Sequence, residues 1–296
     1  MTRKTRAEGV LLALTLIWGS TFVVGKLVLV SVTPLQMIAA RFMLATIFLL
    51  AFFSRRIFPL TRKQVVRGGI LGVFLFLGFV AQTVGLTMTT ASKSAFITGM
   101  MVVFVPLLQV VIERRSPRIG NLVGVAVVTA GLWVLTSPAG ASLGTGDVLT
   151  LLCAVLFAVY IVYIDVVAHE MSALQLTFIQ MSSNAIFALA ASAAIDTLPA
   201  RVPGGGTVVA IIYLTIFATV LTTFMQTRYQ KETSPTRAAI IFTIEPVFAA
   251  VTAAIVLGEQ IGVGGAAGGA LIIGGVLLSE LSDGIPLLNR SFGSAE

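Results

Sequence analysis

Ten long apolar runs follow one another along the chain, at residues 9–30, 34–54, 68–89, 94–112, 118–136, 147–167, 173–195, 207–228, 236–257 and 262–281. A helix of about 20 apolar residues, rising about 1.5 Å per residue, crosses the hydrocarbon core of a bilayer. Turn-forming segments punctuate the runs: Ser31-Val32-Thr33-Pro34, Pro59, Ser116-Pro117, Ser137-Pro138, Pro203-Gly204-Gly205-Gly206 and Ser234-Pro235. A transmembrane barrel would show short segments of alternating polarity instead. The pattern predicts an all-α integral membrane protein with ten transmembrane helices. Composition agrees, since 57% of the 296 residues are hydrophobic, 10% are charged and the mean hydropathy is +1.03. A soluble domain carries about 25% charged residues. Too few charges are present to coat a globular surface, which excludes a soluble enzyme, a disordered chain and a nucleic-acid binder.

The first run follows Arg3, Lys4 and Arg6, as a signal peptide would. It is longer than a signal-peptide core of about 7–15 residues and no small-residue cleavage site follows, so it reads as a retained first span. Placing the N-terminus inside leaves only Lys93 and Arg201 of the 19 lysines and arginines on the outer face, with Lys26 and Arg41 inside spans. That asymmetry predicts cytoplasmic termini. The net charge of +7 is then mostly topology, with no nucleic-acid partner implied.

Self-comparison reveals an internal repeat. Shifted by 139, Leu35-Gln36 falls on Leu174-Gln175 and Ile47-Phe48 on Ile186-Phe187. Shifted by 144, Gln82-Thr83 falls on Gln226-Thr227, Lys93 on Arg237, Ala95 on Ala239, Gly124 on Gly268 and Gly131 on Gly275. The expected units are residues 1–139 with spans one to five and residues 140–296 with spans six to ten and a short cytoplasmic tail. Five spans is an odd number, so the second unit must enter the bilayer inverted. Inverted repeats recur in secondary transporters, where two similar halves give inward-open and outward-open states of similar energy.

Several short motifs stand in order along these spans: Trp18-Gly19-Ser20, Ala40-Arg41-Phe42, Thr90-Ala91-Ser92-Lys93-Ser94-Ala95-Phe96, Pro106, Glu245-Pro246 and Leu257-Gly258-Glu259. With ten spans in two repeats, they make the chain resemble the EamA-type families of the drug/metabolite transporter superfamily over about 9–281. The resemblance implies an alternating-access carrier in the cytoplasmic (inner) membrane, often an exporter of amino acids or other small metabolites. It also implies a central cavity lined by the non-peripheral helices of both halves. One departure is that Pro106 and Pro246 fall one helical turn apart once Lys93 and Arg237 are aligned, so the two kinks need not be equivalent.

Glu245 is the deepest acid, about 13 Å into span nine. An ionised group there costs about 2.5–3.5 kcal/mol on insertion scales, so it should face protein or water. Pro246 beside it frees a backbone carbonyl. Glu245 therefore reads as a proton-coupling or amine-binding carboxylate, against a structural acid held between helices. Gln82 and Gln226, related by the repeat, are candidate cavity groups or interhelical glue, and Gln109, Gln180 and Asn184 read as glue. Trp18, Phe79 and Tyr160 are candidate cavity walls, with Tyr163 and Tyr229 weaker ones. Arg41 could bind a substrate carboxylate bidentately. It could equally tie helices or snorkel, and the family's peripheral second span favours a structural role. Lys26 reads as a snorkelling residue. Lys93 and Arg237 read as interfacial charges or gating groups, Pro106 and Pro246 as kinks, and Glu259 as a tether at the outer end of span nine.

Small-residue pairs Gly68/Gly72, Gly120/Gly124, Gly264/Gly268 and Gly265/Gly269 predict close helix packing, with spans five and ten packed inside a monomer or at a weak homodimer contact. Gly140-Ala141-Ser142-Leu143-Gly144 matches a hydrolase nucleophile pattern, but His169 is the one histidine and falls on the other face. His169-Glu170 lacks the second histidine of a zinc site. No enzyme, cofactor or metal is expected. The expectation is a secondary transporter for small metabolites, amino acids with aromatic or other apolar side chains included, in the export direction. The alternatives are an exporter of drug-like or other amphipathic metabolites, a channel, or a non-transporting scaffold.

Overall fold

The computed structural model describes residues 2–136, 144–196, 203–285 and 288–290, and the described residues form helices with no strand among them. In chain order these are α1 (Arg3–Val28), α2 (Pro34–Ile57), α3 (Arg62–Thr87), α4 (Ala91–Gly99), α5 (Met101–Glu113), α6 (Ile119–Thr136), α7 (Thr145–Val167) and α8 (Ala173–Ile195). There follow α9 (Gly205–Thr215), a π-helix (Ile216–Leu221), α10 (Thr222–Tyr229), α11 (Pro235–Phe242), α12 (Glu245–Leu257) and α13 (Val263–Leu281). Among the described residues nine helical segments are long and apolar enough to cross a membrane, and the tenth apolar helix, Ile119–Val134, is shorter. The turn between the two expected units, residues 137–143 with most of the Gly140–Gly144 motif, lies outside the described residues, as does Arg201.

The helix starts are written in hydroxyl residues. Thr33, Thr61 and Ser172 each accept a hydrogen bond from the backbone N–H three residues on, and Gln36, Gln64 and Gln175 reach back to complete capping boxes. Thr90 and Ser234 cap α4 and α11 with the hydroxyl alone, accepting from Lys93 N and Arg237 N. The start of α6 uses the tail of the chain instead, its Ile119 and Gly120 N–H groups donating to the carbonyls of Arg290 and Leu288.

Three spans depart from the uninterrupted helices that the apolar runs predict. The fourth breaks at Met100, where Met100 N–H bonds back to Ile97 and Val103 N–H to Met100, each only three residues away. The ninth breaks at Thr243–Ile244 with the same device, Ile244 N–H to Ile241 and Val247 N–H to Ile244. Pro246, in the first turn of α12, cannot donate to the Phe242 carbonyl, which explains this second break. Pro106 lies inside α5, past the first break. The eighth span carries the π-helix, an extra residue accommodated by widening one turn.

The principal packing partners are α6 with α13, α3 with α7, α2 with α8, α1 with α12, α3 with α8, and α5 with α7. α6 and α13 approach closely: a Cβ on Gly131 would stand 2.8 Å from Ile272 N and 2.9 Å from the Gly268 carbonyl. Large apolar side chains such as Phe52, Trp133 and Ile255 face outward, an arrangement suited to lipid rather than water.

Candidate functional site

A cavity of about 70 Å³ lies in the middle of the bundle. Trp18, Phe79, Gln82, Tyr160, Gln226 and Glu245 all line it, together with Thr21, Arg41, Leu75, Thr98, Met101, Phe157, Ile161, Ala218, Thr223 and Phe242. Its size suits a few waters rather than a metabolite, so a larger guest requires the walls to part.

The helix break in the ninth span builds one wall. Glu245 opens α12, 8% exposed, where the positive end of the helix dipole favours a carboxylate. It makes no hydrogen bond or ion pair among the described residues. Gly19 lets α1 approach it closely, since a Cβ there would stand 2.9 Å from the Glu245 carbonyl and 2.6 Å from Phe248 Cβ. That approach puts Trp18 edge-on to Phe242 with ring centroids 5.1 Å apart. On the other wall Phe79 meets Phe42 and Phe157 edge-on, at 5.1 and 5.7 Å. The amides are anchored: Gln82 Nε2 donates to Thr98 Oγ1 at 3.3 Å, and Gln226 Nε2 to Gln230 Oε1 at 2.8 Å. Tyr160 donates to Gln180 Oε1 at 2.6 Å.

Arg41 departs from its expected peripheral place. It is buried, lines the cavity, and also ties α2 to the π-helix, with Nε donating to Thr219 Oγ1 and Nη2 to the Ala218 carbonyl. Its guanidinium lies 4.8 Å from the Phe79 ring centroid. Thr21, Thr98, Thr223, Phe157 and Phe242 are further lining residues that the sequence reading did not single out. The one available signal was the position of Phe242 just before Glu245-Pro246.

Ionic clusters stand at both ends of the bundle. Along α1 the order is Glu8, Trp18, Lys26, so the cavity lies between them. At the N-terminal end Arg237 Nε lies 2.5 Å from Glu8 Oε1, and Nη2 lies 2.6 Å from Glu280 Oε2. Thr233 also donates to Glu8, at 3.1 Å. Arg237 is thus a buried, paired residue rather than an interfacial charge. At the opposite end Lys93 Nζ lies 2.6 Å from Asp147 Oδ2, which also accepts from Gly144 N at 2.9 Å. Lys26 donates to the Thr89 carbonyl, and Glu259 accepts from the N–H groups of Ala91 and Ser92 at 3.2 and 3.3 Å. Glu259 therefore caps α4 from beyond the end of α12. A second hollow, polar and about 640 Å³, opens at the N-terminal end and is lined by Glu113, Arg115, Asp165, His169 and Arg237 among others. No group of three or more His, Cys, Asp or Glu that could hold a metal occurs among the described residues.

The family model for the EamA-like transporter family matches residues 6–137 and 144–281. The chain belongs to this family. Among its relatives, an uncharacterized transporter of Archaeoglobus fulgidus is 32% identical over 82% of this chain and 76% of its own length. The inner membrane transporter YedA of Escherichia coli K12, itself uncharacterized, is 26% identical over 86% of this chain and 82% of its own. The uncharacterized transporter YetK of Bacillus subtilis is 26% identical over 89% and 83%. A solved crystal structure superposes with a TM-score of 0.78 at 17% identity, covering 94% of this chain and 97% of that one, and so shares its fold. This EamA-like protein is a multi-pass membrane transporter.

Proposed function

We propose that this transporter is a secondary carrier that exports a small amphipathic metabolite by alternating access of the central cavity. An amino acid with an aromatic or other apolar side chain is the proposed substrate, and the cytoplasmic membrane with both termini inside is the proposed setting. The observation that carries the reading is a cavity lined from both halves of the chain, holding a buried carboxyl group without an ion partner, between two ionic clusters. In this reading residues 1–139 and 140–296 are inverted repeats. Support comes from the two broken spans, whose breaks at Met100 and Ile244, caps at Thr90 and Ser234, and left-handed C-caps at Arg114 and Gly258 all keep the offset of Lys93 and Arg237. The two stretches matched by the family model support it too.

The substrate's apolar part would meet Trp18, Phe79 and Tyr160. Glu245 would take its ammonium or the coupling proton, and Gln82 and Gln226 would supply neutral donors. Parting Arg237 from Glu8 would connect the cavity to the polar hollow and the cytoplasm. Parting Lys93 from Asp147 would connect it to the outside. Pro106 and Pro246 would relieve the helix ladders around which these ends swing.

Uptake of radiolabelled amino acids into proteoliposomes, with and without a pH gradient, tests the proposal. Saturable, trans-stimulated flux is the expected result. Flux that never saturates would mean a channel, and silence for amino acids with flux of aromatic drug-like cations would move the substrate class.

A further inference from the structure

We infer that Arg41 is the carboxylate anchor of the cavity, so that the carrier selects substrates with a free carboxylate over their amides, esters and amines. The inference deepens the carrier reading and rests on it. Arg41 is 5% exposed and lines the cavity, yet no carboxylate pairs with it among the described residues. The Glu245 carboxyl lines the same cavity but forms no ion pair with Arg41; a buried guanidinium without a paired counter-charge is expensive, and the cost falls when an anion arrives.

The surroundings fix the group while leaving part of it unused. Nε and Nη2 are taken by Thr219 Oγ1 and the Ala218 carbonyl, and Nη1 makes no hydrogen bond to a described residue. Thr219 donates its own proton to the Leu214 carbonyl at 2.7 Å, five residues back, a reach that the π-helix makes possible. Its oxygen is therefore turned to accept from Arg41. The Phe79 ring lies under the guanidinium and is itself held edge-on by Phe42 and Phe157. A planar cation clamped along one edge and one face, on a residue that lines a cavity and with Nη1 unused, is preorganised for a carboxylate. A purely structural tie would be served by Thr219 and Ala218 without any opening beside it.

The test uses the full chain in proteoliposomes, with phenylalanine, phenylalaninamide and phenylalanine methyl ester as probes. Binding is read apart from flux by Trp18 fluorescence in a Trp133→Phe background, since the chain has 2 tryptophans. Phenylalanine is expected to bind at least about tenfold more tightly than its amide or ester. Arg41→Gln should abolish that preference, and Arg41→Lys, which keeps the charge but loses the fork, should restore part of it. Equal affinity for acid, amide and ester in the native protein, or a preference unchanged in Arg41→Gln, overturns the assignment and leaves the carrier reading standing. Carboxylate-selective binding with no flux keeps the assignment and overturns the carrier reading. Absence of phenylalanine binding overturns the assignment.

Discussion

Arg237 Nε lies 2.5 Å from Glu8 Oε1, and both side chains are buried, at 4% and 6% exposure. The pair joins the first turn of a broken helix, α11, to the first turns of α1. At the other end of the bundle Lys93 and Asp147, 2.6 Å apart, join the first turn of the broken helix α4 to the first turn of α7. The same joint is thus built twice, with the base three residues after a hydroxyl N-cap in each case. A carrier in which one end opens while the other stays shut needs two such joints of comparable strength.

Breaking one joint should bias access toward its own end. In a Cys153→Ala background, Thr21→Cys places a thiol in the cavity wall. Glu8→Gln should increase its labelling by an impermeant maleimide added from the N-terminal side, and Asp147→Asn from the opposite side. The swap Lys93→Asp with Asp147→Lys should return labelling to the native level. Equal labelling from both sides in all variants would remove the gating role from these pairs. Glu8→Gln should also lower thermal stability by less than the about 3–5 kcal/mol of a fully orphaned buried charge, because Glu280 stays beside Arg237.

Span positions were legible in the sequence because the bilayer imposes a length and an apolarity on every crossing helix. Glu245 was legible as a cavity candidate for a related reason, since a carboxyl deep in a span has few places to go, whereas Gln82 and Gln226 stood out because the repeat relates them. What escaped was phase and interruption. The break at Met100 carries no proline at the site, and the π-helix at Ile216–Leu221 is an ordinary apolar stretch to the eye. The place of Arg41 escaped with it, since the groups that hold it, Thr219 and the Ala218 carbonyl, lie on a span 177–178 residues away in sequence.

Neighbouring glycines of α13 should respond oppositely to a methyl group. A Cβ on Gly275 would stand 2.7 Å from Val128 Cγ2, 3.0 Å from Val128 N and 3.2 Å from the Gly124 carbonyl, whereas Gly274 meets nothing within 4 Å. Gly275→Ala should therefore cost about 1–3 kcal/mol through overpacking, while Gly274→Ala should be neutral or stabilising by up to about 1 kcal/mol. Thermal unfolding in detergent distinguishes them. Equal melting temperatures would mean that α6 and α13 can separate without loss.

Removing the acceptor at the far end of α12 should loosen α4. Glu259 takes the N–H groups of Ala91 and Ser92 and the Ser92 hydroxyl, the last at 2.5 Å. Glu259→Ala leaves the first turn of α4 with Thr90 as its one side-chain cap, a loss of about 1–2 kcal/mol. Glu259→Gln keeps one acceptor and should lose less. Hydrogen exchange of the Ala91 and Ser92 amides reads the change directly, and unchanged protection in Glu259→Ala would show that the cap carries no load.

Glu245→Gln separates two roles that the cavity permits. Glutamine preserves shape and hydrogen bonding but can neither ionise nor carry a proton. If Glu245 carries the coupling proton, exchange of labelled for unlabelled substrate persists in the variant, while accumulation driven by a pH gradient is lost. If Glu245 holds the substrate ammonium, exchange fails as well, with KM raised at least about tenfold for want of the charge-assisted bond. Gradient-driven, saturable transport unchanged in Glu245→Gln at every pH would exclude both roles and leave Glu245 as packing between α1 and α12. The contact supporting that last alternative is the approach of Gly19 to the Glu245 carbonyl and Phe248 Cβ, which a Gly19→Ala variant would disturb while leaving the carboxyl group in place. A Gly19→Ala protein that loses transport while Glu245→Gln retains it would place the requirement on how closely the helices approach rather than on the carboxylate.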